Sequence, residues 1–152
     1  MLLRTHIAIT FLFILLIIGN VNNKIIFLSV ALISTLIPDI DTRFSVLGKR
    51  RVFRILQFFV RHRKMFHSLI FCLIITSILV LFVHVLALGF FLGYGLHLFA
   101  DSFTIEGIIP FYPFGKRSSW RIRTGAKTET ILFLSVFAID FLLLVYYIFG
   151  FF

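Results

Sequence analysis

The side chains able to do chemistry in this 152-residue chain are few, and they fall in a pattern. His6 opens the first apolar run; Asp39 and Asp41, in Pro38-Asp39-Ile40-Asp41, close the second. His62 and His67, in His62-Arg63-Lys64-Met65-Phe66-His67-Ser68, open the third, and His97 and Asp101, in Gly95-Leu96-His97-Leu98-Phe99-Ala100-Asp101, close the fourth. Neutral imidazole and carboxylate are the ligands that zinc or manganese accepts. Four imidazoles and three carboxylates exceed the needs of one tetrahedral ion. They suit two ions about 3.5 to 4 Å apart that share a carboxylate or hydroxide. The bland alternative is that each group caps a helix or pairs with a loop arginine. Asp39 and Asp41 are expected to bridge the ions or take a proton from the nucleophile.

Spacing says what must position them. His97 and Asp101 lie about 40° apart around a helix, so both reach one point. Asp39 and Asp41 would splay on a helix, and the stretch after Pro38 has to turn for them to converge. His62 and His67 are about 140° apart on a helix, so His62 is expected before the first turn of the third run. The order His, apolar run, turn, apolar run, Asp occurs twice, from His6 to Asp39 and from His67 to Asp101, and suggests two hairpins related by an internal parallel repeat. A lone Cys72 excludes a disulfide within the chain and a thiolate metal site.

Composition sets the environment. The chain is 61% hydrophobic, with 22 Phe and only 14% charged residues, against about half apolar and a quarter charged in a soluble domain. It is expected to be a single integral membrane domain over 1–152. The fold class is all-α, a polytopic membrane helical bundle of about five spans, near 5–20, 24–39, 66–84, 85–102 and 129–149. Several apolar runs are shorter than the roughly 20 residues a crossing needs, so the helices are expected to extend into flanking polar residues. A signal peptide is the alternative for the first run, but no convincing cleavage site follows it and another apolar run begins at once.

Fifteen Lys and Arg against six acids give a net charge of +9. In a membrane protein this is first a topology signal. Five spans put the basic links, Asp39 to Lys64 and Ser102 to Glu129, on one face, while the other face holds only Lys24. The positive-inside rule makes the basic face cytoplasmic, with the N-terminus inside. All seven candidate ligands end on that face. Arg50, Arg54, Gln57 and Arg61 recur at helical spacing opposite Val52, Phe53, Leu56, Phe59 and Val60, which predicts an amphipathic helix at about 49–61 in the membrane interface. The cytoplasmic loop at about 105–128, punctuated by Pro110, Pro113, Gly115 and Gly125, is expected to be irregular or a short hairpin. Arg63, Arg121 and Arg123 are candidates for holding phosphate, with ordinary positive-inside charge as the alternative.

His6, Pro38-Asp39-Ile40-Asp41, His62-Arg63, His67-Ser68-Leu69, and Gly95 to Asp101 followed by Gly107 and Pro113-Phe114 together resemble the YdjM-like family. Its members are inner-membrane metal-dependent hydrolases, some of them LexA-regulated. The resemblance covers nearly the whole chain. Lys64-Met65-Phe66 departs from it, standing where the family more often has a small-residue turn. The family is distantly similar to zinc-dependent phospholipase C and the single-strand-specific zinc nucleases. This kinship implies His6, Asp39, His67, His97 and Asp101 as ligands. The expected activity is phosphoester hydrolysis of a membrane lipid or lipid-linked phosphate, with two zinc ions or manganese. The rivals are a non-catalytic scaffold with a structural metal, and a metal or proton transporter for which Asp140 is the sole mid-span acid. Nucleic acid ranks lowest as a partner, since basic and aromatic residues interleave only near Trp120 to Arg123. The oligomeric state is not legible.

Overall fold

The computed structural model describes residues 1–41 and 63–150, with the backbone alone at 40, 41, 63 and 64. Its helices are α1 (Leu3–Ile17), α2 (Lys24–Leu36), α3 (Leu69–Phe82), α4 (His84–Ser102) and α5 (Lys127–Phe149). Tight 3-10 turns follow α1 at Ile18–Asn20 and α2 at Ile37–Asp41, and a single helical turn, Arg63–Phe66, precedes α3. The all-α expectation holds among the described residues, where extended pairing is limited to two isolated bridges. The interfacial helix expected at 49–61 lies outside them.

Three stretches, Leu3–Asn20, His84–Ser102 and Lys127–Phe149, are long and apolar enough to cross a membrane. α2 and α3, with 13 and 14 residues, fall short of the roughly 20 that a crossing takes, and local chemistry fixes both limits. Pro38 has no N–H and its ring would meet the carbonyl of Ser34, so the α-helical ladder cannot pass it. The Ile37 N–H bonds the Ser34 carbonyl, and the chain tightens into the 3-10 turn. At α3, the Ser68 hydroxyl accepts from the Phe71 N–H at 3.2 Å, an N-cap that starts the helix at Leu69.

The helices alternate in direction, so both basic links leave the same end of the bundle. α2 packs along α4, α3 against α4, and α1 against α5. Gly89 and Gly93, one turn apart on α4, let α2 come close: a Cβ at Gly93 would run into the Ala31 carbonyl and the Ser34 hydroxyl. Hydroxyls exploit that approach. Ser34 donates to the Gly89 carbonyl and Thr35 to the Gly93 carbonyl, each at 3.3 Å, and the Thr10 and Thr35 hydroxyls meet at 3.0 Å. Small residues and interhelical hydrogen bonds are what associate helices in lipid, where burial of apolar surface gives no drive. The outer faces of α3 and α5 carry exposed Leu, Ile and Phe, a surface that water would not tolerate.

The link after α4 carries two isolated bridges, Thr104 with Ile122 and Ile108 with Ser118. Ile108 and Ser118 exchange backbone hydrogen bonds at 2.9 and 2.8 Å, and Trp120 N–H bonds the Thr104 carbonyl at 2.9 Å. Gly107 turns the chain at φ +56°, where a side chain would strike Ser118 and Ser119. The Pro110 carbonyl accepts from the Leu69 N–H at 2.7 Å, which ties the loop to the start of α3.

Candidate metal centre

Five of the seven candidate ligands meet at the end of the bundle where the basic links emerge. His6 comes from the first turns of α1, Asp39 from the turn beyond α2, His67 from just before α3, and His97 and Asp101 from the last turns of α4. In two overlapping sets, His6 with Asp39 and His97, and His67 with His97 and Asp101, the ligand atoms all lie within 4.8 Å of one another. The side chain of Asp41, on the same turn as Asp39, lies outside the described residues, as do His62 and the side chain of Arg63. Arg121 and Arg123 stand exposed on the loop and make no ion pair with the cluster. His84 is at the far end of α4.

Each donor is placed by identifiable contacts. The His97 Nδ1 lies 2.8 Å from the Thr35 carbonyl; a carbonyl only accepts, so Nδ1 carries the proton and the Nε2 lone pair faces the cluster. Histidine ligands are oriented in this way when the second nitrogen binds a metal. The close α2–α4 contact at Gly93, one turn before His97, makes that bond possible. His67 is fixed by its neighbours: the Tyr94 hydroxyl donates to the Phe66 carbonyl at 2.5 Å, and the buried Ser68 hydroxyl donates to the Met65 carbonyl at 2.7 Å. The His6 ring stacks on that of His97, with centroids 3.9 Å apart and planes 7° from parallel.

The two carboxylates face these rings. Asp101 turns Oδ1 to His6 Nε2 at 3.3 Å and Oδ2 to His97 Nε2 and His67 Nε2 at 3.5 and 4.0 Å. Asp39 Oδ1 lies 3.8 Å from both His67 Nε2 and His97 Nε2. Among the described residues, both ring nitrogens of His6 and the Nε2 of His97 are buried without a hydrogen-bond partner. Imidazole nitrogens of His6 and His97 left without a hydrogen bond beside converging carboxylate oxygens fit a cation between them, because buried polar atoms left unsatisfied are costly. The Met1 amino group also reaches Asp101 Oδ1, at 2.5 Å. On its turn beyond α2, Asp39 is pushed up by burial, but the hydrogen bond from His67 and the neighbouring His97 and His6 outweigh this and hold its pKa below the usual carboxylate value. His6 and His97 are sealed, while Asp39 and His67 keep 22% and 15% of their side-chain surface, so the cluster opens on their side.

Sequence reasoning left Glu129 outside the set, yet it holds the α1 end of the cluster. Its Oε1 accepts from the Leu2 N–H at 2.6 Å and the Thr5 hydroxyl at 3.0 Å, and its Oε2 accepts from the Gly125 N–H at 2.5 Å. The only local signal was an acid in the first turn of a long apolar helix. Gly89 and Gly93 were overlooked as well, although their spacing is the close-packing pattern of membrane helices.

A helical membrane protein with a histidine and aspartate cluster at one end of its bundle is the class that fold and site define. The chain belongs to the YdjM inner membrane protein family, whose model matches residues 1–151. No curated protein and no solved structure matches it.

Proposed function

We propose that this chain is a membrane-embedded, metal-dependent hydrolase that cleaves a phosphoester of a membrane lipid or lipid-linked phosphate at the cytoplasmic interface. The observation that carries this reading is the convergence of His6, Asp39, His67, His97 and Asp101, with the His97 tautomer set by Thr35. These five residues would hold two divalent ions, zinc or manganese, with Asp101 offering one oxygen to each side. Such ions supply a bound water of lowered pKa and neutralise charge on the phosphoryl oxygens.

The chain's own groups do the rest. Asp39 stands on the open side of the cluster, where it can take the nucleophile's proton, a role Asp41 on the same turn can share. Arg121 and Arg123 on the loop, and Arg63, four residues before His67 in sequence, are the candidates to hold the phosphate. The basic links and the cluster share one end of the bundle, and the positive-inside rule then turns the site to the cytoplasm, with five spanning helices and the N-terminus inside.

The test is metal analysis of purified wild type and His67→Ala, with release of phosphate or head group measured on a phospholipid panel. Wild type is expected to carry bound metal and to hydrolyse at least one lipid, and His67→Ala to lose both. A wild type free of metal removes the reading. Full metal with no hydrolysis across the panel would assign the cluster to a structural role, because a saturated site holds helices without leaving a position for water.

A further inference from the structure

A second feature lies on the opposite side of α1 from the metal centre. Arg4 and His6 are two residues apart, about 200° around the helix. On the Arg4 side, α1 and α5 leave an apolar groove of about 360 Å³. Arg4 stands at one end, its guanidinium 5.1 Å from the centre of the Phe133 ring. Ala8 opens the floor, and Phe11, Phe133 and Phe137 form walls. Beyond Leu144, the last residue of α5 in the lining, the Tyr147 hydroxyl ties α5 to α1 by donating to the Leu15 carbonyl at 2.8 Å. Asp140 also lines the groove. It is 95% buried, and its Oδ1 has no hydrogen-bond partner among the described residues. A polar atom so placed is costly unless something in the groove meets it.

We infer that this groove is a binding site for one anionic phospholipid, distinct from the metal centre: the phosphate sits on Arg4, one acyl chain runs along the phenylalanine walls, and the ester region faces Asp140. The depth fits. Asp140 lies seven residues beyond Phe133, about 10 Å further into the hydrocarbon, below the level of a phosphate held by Arg4. The carboxyl can donate as the acid or accept as the anion. A second helix is the poorer occupant, since helices pack in membranes through small residues and Ala8 is flanked here by large aromatic rings. Arg4 is exposed and makes no ion pair with a described residue, which leaves its charge for an anionic head group.

The test reads lipid, not catalysis, so it stands or falls separately from the hydrolase proposal. The purified chain is exchanged into an equimolar mixture of phosphatidylglycerol and phosphatidylcholine, and retained lipids are counted by native mass spectrometry. Wild type is expected to retain one phosphatidylglycerol in roughly tenfold preference, the order of one charge-assisted hydrogen bond. Arg4→Gln should equalise the two lipids, Ala8→Phe should expel the retained one, and Asp140→Leu should weaken retention. Leu134→Phe, on the exposed face of α5, should behave as wild type. Equal retention of both lipids by wild type overturns the inference. So does unchanged retention in Ala8→Phe at a wild-type melting temperature, or a two-chain mass that Ala8→Phe abolishes without change in lipid. If Ala8→Phe fails to fold, Arg4→Gln decides alone.

Discussion

His97 uses its two ring nitrogens for different ends: Nδ1 is spent on the Thr35 carbonyl, and Nε2 points at two carboxylates. A residue that only filled space would not need this arrangement. Asp101 has the complementary economy, one oxygen toward His6 and the other toward His67 and His97. Asp101→Asn keeps the shape and removes the charge, so bound metal per chain should fall, whereas Asp140→Asn, outside the cluster, should leave it unchanged. Metal analysis of both variants checks this, and equal loss in the two would argue against the ligand assignment. Glu129 tests a different role. In Glu129→Gln, an amide nitrogen replaces one acceptor oxygen and faces an N–H, so a cost of about 1–3 kcal/mol is expected, as for an unmet buried hydrogen bond. The readout is a lower melting temperature of the metal-free protein.

At the scale of elements, the cluster depends on how closely α4 approaches α2. Gly93 is the contact point, and any side chain there meets the Ala31 backbone and the Ser34 hydroxyl. Gly93→Leu should force the helices apart, at a cost of about 1–3 kcal/mol for overpacking, and break the His97–Thr35 bond. Metal affinity should then drop although no ligand has been changed. A variant that melts lower yet binds metal as tightly as wild type would show that this approach does not set the site. Ser68 is the corresponding device for His67. Ser68→Ala removes the α3 cap and the bond to Met65, and about 1 kcal/mol of stability should go with it, measured by thermal unfolding in detergent.

For the whole molecule, the expectation concerns orientation. The site and both basic links, the second being the loop after α4, share one end, so one topological fact places them all. A cysteine introduced at Ser119, exposed on that loop, should react with an impermeant thiol reagent in inside-out vesicles and stay protected in intact cells. Cys72 is buried and leaves the background low. Labelling from the outside would reverse the site's orientation and remove the cytoplasmic substrate with it.

The sequence by itself determined the all-helical character and the membrane environment, and it singled out five groups that the structure brings together, because hydrophobic runs, proline and isolated ionisable residues leave local marks. The spacing of His97 and Asp101 was enough to place both on one face of a helix. Only the tertiary structure decided that His6 and His97 stack, that Asp101 divides its oxygens between two sides, and that Glu129 anchors α1 from α5. Those relations join residues 91 positions apart for His6 and His97, 95 for His6 and Asp101, and 124 or more for Glu129 and α1, and no periodicity along a chain records which helices will touch. The short α2 and α3 mark the same boundary. Both are expected to run past their apolar stretches into full crossings, but Pro38 stops α2 early and Ser68 starts α3 late, and the ladder of backbone hydrogen bonds, not hydrophobicity, sets a helix's limits.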